Sequence, residues 1–124
     1  MMKKLGLLIC TAAFLTASAL TAADTAPKTV IHVISVKWKA GTEQAKIDQV
    51  LQIVRAMPSQ NHAILHVWTN PIKKQLPEGY DHVIVMEFSS EDALKQYVDS
   101  PAQKRFYEVY MPIREESRTS DISN

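Results

Sequence analysis

Two stretches of the chain carry hydrophobic residues on both sides of an alternating pattern. From Val30 to Trp38 the even positions are mostly apolar, and Ile31 and Val33 add apolar side chains on the other side. The stretch from Tyr80 to Phe88 has the same two-sided character in its middle. A strand that is apolar on both faces is typical of a sheet covered on both sides. The pattern therefore predicts two central, buried strands.

Two further strands are predicted from weaker patterns. Residues 63–69 alternate, which places Ile64, His66 and Trp68 on one predicted face of a strand. The polar tail, residues 115–122, has the composition of an edge strand. The chain therefore supplies four strands in all.

Helical spacing appears in two places. After the break at Gly41, apolar residues recur every three or four positions, which predicts an amphipathic helix that is capped by Thr42 and ends at Pro58. A second helical region is predicted to begin at the cap Ser90. It is interrupted at Ser100, because Pro101 is suited to the first turn of a new helix. The second helix is therefore predicted in two pieces.

The predicted order of elements is β-α-β-β-α-β, which is typical of an α+β, ferredoxin-like fold with a four-stranded antiparallel sheet. Two helices can cover only one face of such a sheet. The other face, which is predicted to carry Val83 and Val85, needs a second cover because its central strands are apolar there as well. We expect a second copy of the chain to supply it, giving a homodimeric α+β barrel.

The first 23 residues form a different kind of segment. Lys3 and Lys4 precede an apolar run, and small residues follow up to Ala23. This is the pattern of a signal peptide (1–23), and it leaves a disordered lead at 24–28 and a domain at 29–124. The apolar run is shorter than the roughly 20 residues of a membrane-spanning helix, so a retained anchor is the less favoured alternative. We therefore expect an exported protein, periplasmic or secreted, with no stable membrane anchor after cleavage.

Charge and cysteine content exclude several classes of function. The chain has 14 basic and 13 acidic residues and a formal charge of +1, which gives no electrostatic case for a nucleic-acid partner. Its one cysteine, Cys10, lies in the predicted signal peptide, so thiol chemistry is not expected of the mature protein. His62 and His66 would stand roughly 13 Å apart on a strand, too far to chelate one ion. No metal and no cofactor is predicted.

Several short segments together resemble a known family. They are the run from His32 to Lys37, the run from Glu78 to His82 that leads into Phe88, and Tyr97 followed by Ser100-Pro101-Ala102 and Phe106. In order and spacing, the chain from about Val30 to Ile122 resembles the stress-responsive A/B barrel domain, called Dabb. The resemblance implies a ferredoxin-like fold and a dimeric α+β barrel.

The resemblance also implies a pocket between the helices and the sheet. In the cyclase members of the family a tyrosine and a histidine act there in the pattern Tyr-x3-Pro-x-His, and the matching positions here are Tyr97, Pro101 and Gln103. A glutamine amide cannot take up a proton near neutral pH, so the acid–base role is unsupported at that position. The first-strand histidine of the family is retained as His32, and His82 is the corresponding polar residue of the third strand. The predicted ligand-binding residues are His32, Ile34, Val50, Leu51, His82, Ile84, Met86, Tyr97, Gln103 and Phe106.

Three functions follow from this pattern. The loss of the pocket histidine favours a dimer that binds a small, mostly apolar molecule without turning it over. The first alternative is an enzyme resembling the polyketide cyclases or cofactor-free oxygenases, with Tyr97 and either His32 or His82 as catalytic residues. The second alternative is a purely structural, stress-associated dimer with a filled core and no ligand.

Overall fold

The computed structural model describes residues 28–124. Its elements in chain order are β1 (Val30–Trp38), α1 (Gln44–Gln60), β2 (Ile64–Trp68), β3 (Tyr80–Phe88), α2 (Glu91–Tyr97), α3 (Pro101–Tyr110) and β4 (Arg114–Ser123). The predicted signal peptide and residues 24–27 of the predicted lead lie outside the described residues. Within residues 28–124, no helix is both long enough and apolar enough to cross a membrane.

The four strands form one antiparallel sheet in the order β2-β3-β1-β4. The two strands with two-sided apolar patterns, β1 and β3, lie at its centre and pair with Ile34 opposite Ile84. The polar tail forms β4 at one edge, as its composition predicts. The predicted α+β, ferredoxin-like arrangement is therefore confirmed.

The core lies between the helices and one face of the sheet. α1, α3 and three strands contribute the side chains that are fully buried: Phe88, Phe106, Met57, Ile64, Ile84, Met86, Val36, Val50 and Val54. Burial of one such side chain stabilises the fold by about 1.5–3 kcal/mol. This core holds α1 and α3 against one face of the sheet.

The other face of the sheet, here called the open face, is also largely apolar. Val85 pairs with Val33 and Val83 pairs with Ser35 across the two central strands, and these side chains are only partly buried. Trp68 is 50% exposed, and Ile122 of β4 is 59% exposed. Residues 28–124 therefore leave uncovered the face that the sequence predicts to be covered.

An irregularity in β2 changes which of its side chains reach the open face. The register with β3 shifts between Ile64 and His66, which leaves Leu65 without a partner in the pairing. His66 and Trp68 consequently lie on the open face, while Ile64 faces the helices. The prediction of one shared face for these three residues is wrong, because an extra residue in one strand reverses the alternation beyond it.

The first helix also differs from the prediction at both ends. It begins at Gln44 with Glu43 at the N-cap position, and the Thr42 hydroxyl instead donates to the Lys39 carbonyl at 2.7 Å. The helix continues through Pro58 to its last turn. A proline this close to the end removes only one backbone hydrogen bond, so the core contacts of α1 outweigh the loss.

The predicted cap Ser90 forms, and Ser100, which the sequence pattern marks only as an interruption, caps the next helix. Ser90 accepts from the Ala93 amide at 3.0 Å, and Ser100 accepts from the Gln103 amide at 3.3 Å. Between the two helices the backbone of Asp99 has φ = 63°, a left-handed conformation that costs a residue with a Cβ about 1 kcal/mol.

Candidate functional site

A half-open cavity of about 310 Å³ lies between α2, α3 and the β1–β4 side of the sheet. Helical spacing places four α3 residues along one wall, because positions three and four apart share a helix face. Strand alternation places two β4 hydroxyls on the opposite wall, with Thr119 beside Ile34 and Ser117 beside Val36. The lining side chains are His32, Ile34, Leu94, Tyr97, Val98, Gln103, Phe106, Tyr107, Tyr110, Arg114, Ser117 and Thr119.

Tyr97 contributes to the wall of the cavity, but its hydroxyl is engaged in the core. The residue is 2% exposed, its ring packs on Phe88 at 5.2 Å, and its hydroxyl donates to the Met57 sulfur at 3.8 Å. Burial raises the pKa of the phenol well above its usual value. The phenol therefore stays protonated at neutral pH and points toward α1.

Replacement of Tyr97 by phenylalanine is expected to change the free energy of unfolding by less than about 1 kcal/mol, because a thioether sulfur is a weak acceptor. The cavity wall keeps its ring, so we also expect ligand affinity to stay unchanged. Chemical denaturation and a binding titration of the variant check both statements. Loss of binding or turnover on removal of this hydroxyl would instead place it in the mechanism.

Gln103 is buried at the junction of α2 and α3. Its Oε1 accepts from the Asp99 amide at 2.7 Å, and its Nε2 donates to the Tyr107 hydroxyl at 3.4 Å. The amide group thus fixes the left-handed Asp99 and at the same time reaches a residue of the cavity wall. These bonds assign a positioning role to the residue that stands where the cyclases have a histidine.

His32 is held at the cavity by a carboxylate. Its Nδ1 lies 2.5 Å from Oδ1 of Asp121 on β4, and its ring meets Phe88 edge-on at 6.1 Å. A carboxylate only accepts, so Nδ1 is the donor of this bond and Nε2 is the ring nitrogen that the bond does not use. The arrangement is chemically suited to orienting an imidazole beside a bound molecule.

His82 lies at the other end of the sheet, away from this cavity. Its Nδ1 accepts a hydrogen bond from the Trp38 indole at 2.8 Å, and the two rings are 5.6 Å apart. Burial, followed by the nearby charge of Lys74, lowers the pKa of this histidine. The acceptor role requires the neutral ring, so geometry and electrostatics agree.

The lowered pKa of His82 predicts that the fold loses stability in mild acid. A histidine with a lower pKa in the folded state binds fewer protons when folded, so the free energy of unfolding falls as pH falls through about 6.5. Asp81 and Asp48 oppose the effect, and burial and Lys74 outweigh them. Denaturant titrations at about pH 7.5 and about pH 5.5 measure the slope. We expect His82→Gln, which keeps an acceptor for Trp38, to reduce it, and an unchanged slope would contradict the assignment.

The structure separates the predicted site residues into two groups. Those that line the cavity are His32, Ile34, Tyr97, Gln103 and Phe106. The remaining ones do not line it: Val50, Leu51, Ile84 and Met86 are core residues, and His82 pairs with Trp38. Of the strand residues that were predicted to bind a ligand, only His32 and Ile34 of β1 therefore line the cavity.

Seven residues of the cavity lining have no counterpart in the sequence prediction: Leu94, Val98, Tyr107, Tyr110, Arg114, Ser117 and Thr119. Tyr107 and Tyr110 lie on α3, and Arg114 begins β4. The Tyr110 hydroxyl and the Arg114 Nε are buried, and neither has a hydrogen-bond partner among the described residues. Helical spacing within α3 is the signal that would have grouped Tyr107 and Tyr110 with Phe106, whereas Arg114 lies beyond the end of the helix and no local spacing connects it with them.

The described residues offer no preformed metal centre. Within residues 28–124, no group of three or more His, Cys, Asp or Glu side chains is arranged to hold an ion. His66 instead pairs with Glu87 at 2.7 Å on the open face.

Several solved structures share this fold at low sequence identity. A hydroxynitrile lyase from Passiflora edulis is 16% identical, with a TM-score of 0.70 over 80% of this chain and 95% of that one. A dimeric ferredoxin-like protein of unknown function from Thermobifida fusca is 14% identical, with a TM-score of 0.67 over 78% and 92% of the two chains. A Dabb family protein from Mesorhizobium loti is 18% identical, with a TM-score of 0.63 over 77% and 95%. Identities this low establish the fold alone.

The sequence comparisons are more specific about the family. No curated protein matches the chain. The family described as the stress responsive A/B barrel domain, however, matches residues 30–124. This range includes every element of the sheet and all the helices of the described structure. The chain therefore belongs to the stress-responsive A/B barrel domain (Dabb) family.

Proposed function

We propose that this chain is an exported Dabb protein that forms a homodimeric barrel and binds a small, mostly apolar molecule between α2, α3 and the sheet. The cavity beside Tyr97 and Gln103 carries the ligand-binding part of the proposal. Its volume of about 310 Å³ is at the lower end of the range for small-molecule sites. A purely structural dimer with a filled core would have no need of this space.

The composition of the wall supports an apolar ligand with a few polar contacts. Phe106, Ile34, Leu94 and Val98 supply the apolar surface, while hydroxyl, amide and guanidinium groups lie around them. Binding sites for small molecules have this mixture, in which apolar contact supplies affinity and a few polar groups fix orientation. The Tyr110 hydroxyl and the Arg114 Nε, which are buried without a hydrogen-bond partner among the described residues, could also bond to polar atoms of a ligand.

The open face supports the homodimer. Its partly exposed valines and the exposed Trp68 and Ile122 form the apolar surface that a second sheet would cover. The protein of similar fold from Thermobifida fusca is dimeric. A dimer closed through this face leaves the cavity, on the helical side of the sheet, free to bind.

Native mass spectrometry of the protein purified from its own host tests ligand binding. We expect to detect a co-purifying small molecule. It should be lost in Val98→Trp, because the larger side chain would fill the cavity. It should be kept in Gln96→Trp, the control variant, because Gln96 is an exposed α2 residue outside the cavity lining. Protein without any adduct, and unable to bind added hydrophobic molecules, would contradict the proposal. The mass of the same preparation tests export, since cleavage after Ala23 gives a chain beginning at Asp24.

An enzyme is the second candidate, and the pairing of His32 with Asp121 is the observation that favours it. A carboxylate that orients an imidazole is a common arrangement for general base catalysis. The structurally similar hydroxynitrile lyase shows that this fold can carry catalysis. If the wild type converts the co-purified molecule and the His32→Gln variant does not, the chain is an enzyme. If both proteins bind the molecule and leave it unchanged, the chain is a binding protein.

A further inference from the structure

The cavity contains a guanidinium group that has no carboxylate partner among residues 28–124. Arg114 lines the cavity, and among the described residues it forms no ion pair. The acidic residues that follow it are engaged elsewhere, Glu115 with Lys37 at 3.2 Å and Glu116 with Arg118 at 4.0 Å. Within the part of the chain that the structure describes, its one hydrogen bond to a side chain is from Nη1 to the Ser117 hydroxyl at 3.2 Å. The described residues therefore engage only part of the hydrogen-bonding capacity of the group.

A buried phenol stands beside this guanidinium. Tyr110 is 3% exposed, and the Arg114 guanidinium lies 5.9 Å from the centre of its ring. Burial raises the pKa of the phenol, and the neighbouring Ser117 and Arg114 oppose that rise. Neither neighbour meets the geometry of a hydrogen bond to the phenol oxygen, which has no partner among the described residues. A buried hydroxyl without a partner destabilises the fold, so a ligand oxygen that accepted from it would remove that penalty.

The rest of the cavity supplies no competing negative charge. Its lining contains no Asp or Glu, and the nearby Asp121 is paired with His32 at 2.5 Å. Arg114, the Tyr110 hydroxyl and the Ser117 hydroxyl thus form a cluster of donors, called here the donor corner, next to the apolar wall that includes Phe106 and Ile34. A guanidinium with an adjacent hydroxyl matches the two oxygens of one carboxylate.

We propose that the ligand is a hydrophobic monocarboxylate whose carboxylate binds to Arg114 and Tyr110 at the donor corner. This inference rests on the proposed binding function and specifies its ligand class. The carboxylate accepts from the guanidinium and the phenol, which satisfies both buried donors. The hydrocarbon part of the ligand lies against the apolar wall. The donor corner contacts only the carboxylate, so it does not determine whether this hydrocarbon part is aliphatic or aromatic.

Matched acid and amide probes test the assignment, because an amide has nearly the shape of its acid and lacks the charge. Calorimetric titration of the full mature protein with octanoate and octanamide, and with cinnamate and cinnamamide, covers an aliphatic and an aromatic body. We expect at least one acid to bind about tenfold more tightly than its amide, the ratio that a charge-assisted hydrogen bond supplies. In Arg114→Gln the acid is expected to lose this advantage while the amide keeps its affinity.

Two further variants separate binding from folding. Tyr110→Phe removes a hydroxyl without a partner, so we expect an equal or higher melting temperature together with several-fold weaker binding of the acid. Arg105→Gln, an exposed α3 position outside the cavity whose guanidinium donates to Gln60 at 3.1 Å, is expected to leave all affinities unchanged.

The outcomes distinguish this inference from the function on which it rests. Equal affinity of acid and amide for the wild type, or an equal loss of both in Arg114→Gln, would overturn the carboxylate assignment and leave the binding function standing. Failure of all four probes to bind, together with protein that carries no small molecule from its own host, would overturn both.

Discussion

Replacement of Val85 by glutamate is expected to convert the proposed homodimer into a monomer. Val85 lies at the centre of the open face, where it pairs with Val33 on one side and with Trp68 on the other. In a two-fold dimer each subunit would bury one new carboxylate without a partner, at a cost of several kcal/mol for each ion. The dimer dissociation constant should therefore rise by more than about a hundredfold. Val83→Glu should act in the same way.

Sedimentation at micromolar concentration and far-ultraviolet circular dichroism measure the two sides of this prediction. The variant should sediment as a monomer and keep its helix content, because the helices pack on the other face of the sheet. Gln52→Glu, an exposed position on α1, is the matched control and should remain dimeric. A wild-type protein that is already monomeric would remove the basis of the homodimer, and a dimeric Val85→Glu variant would place the interface elsewhere.

Replacement of Gln103 by alanine is expected to lower the free energy of unfolding by about 1–3 kcal/mol. The substitution leaves the Asp99 amide without its acceptor at a residue whose left-handed backbone is already unfavourable. It also removes the donor to Tyr107 at the cavity wall. Ligand affinity should fall as well, since the α2–α3 junction would lose its fixed geometry.

Chemical denaturation of three variants tests the role of this amide. Gln103→Glu keeps the acceptor for Asp99 and should retain most of the stability that Gln103→Ala loses. Gln52→Ala, an exposed glutamine on α1, should be nearly neutral. If Gln103→Ala proves as stable as the control, then the bond to Asp99 contributes little and the residue has no positioning role.

The cap residues and the central strands show how far local pattern extends. Ser90 could be recognised as a cap because its side-chain oxygen bonds to an amide three residues later, which is a local interaction. The strands β1 and β3 could be recognised because a strand that is buried on both faces carries apolar residues at odd and even positions alike. Local interaction and burial are the properties that a sequence displays directly.

The details that the pattern missed depend on neighbours distant in the chain. The irregularity at Leu65 arises from pairing with β3 and reverses the faces of His66 and Trp68. Pro58 stays within α1 because the core holds the helix around it, although the residue alone predicts an end. The resemblance to the family located Tyr97 and Gln103, yet their bonds to Met57 and Asp99 became visible only in the folded chain.

By itself the sequence determined the order of elements, the two-sided central strands and the family, because these follow from periodicity, burial and motif spacing. Only the tertiary structure decided which residues share the cavity. α3 and β4 bring Tyr110 and Arg114 against β1, whose cavity residues precede them by about eighty positions, and no local pattern records that meeting. The tertiary structure also decided that the Gln103 side chain accepts a hydrogen bond from the Asp99 amide, because a hydrogen-bond partner depends on distance and direction in space.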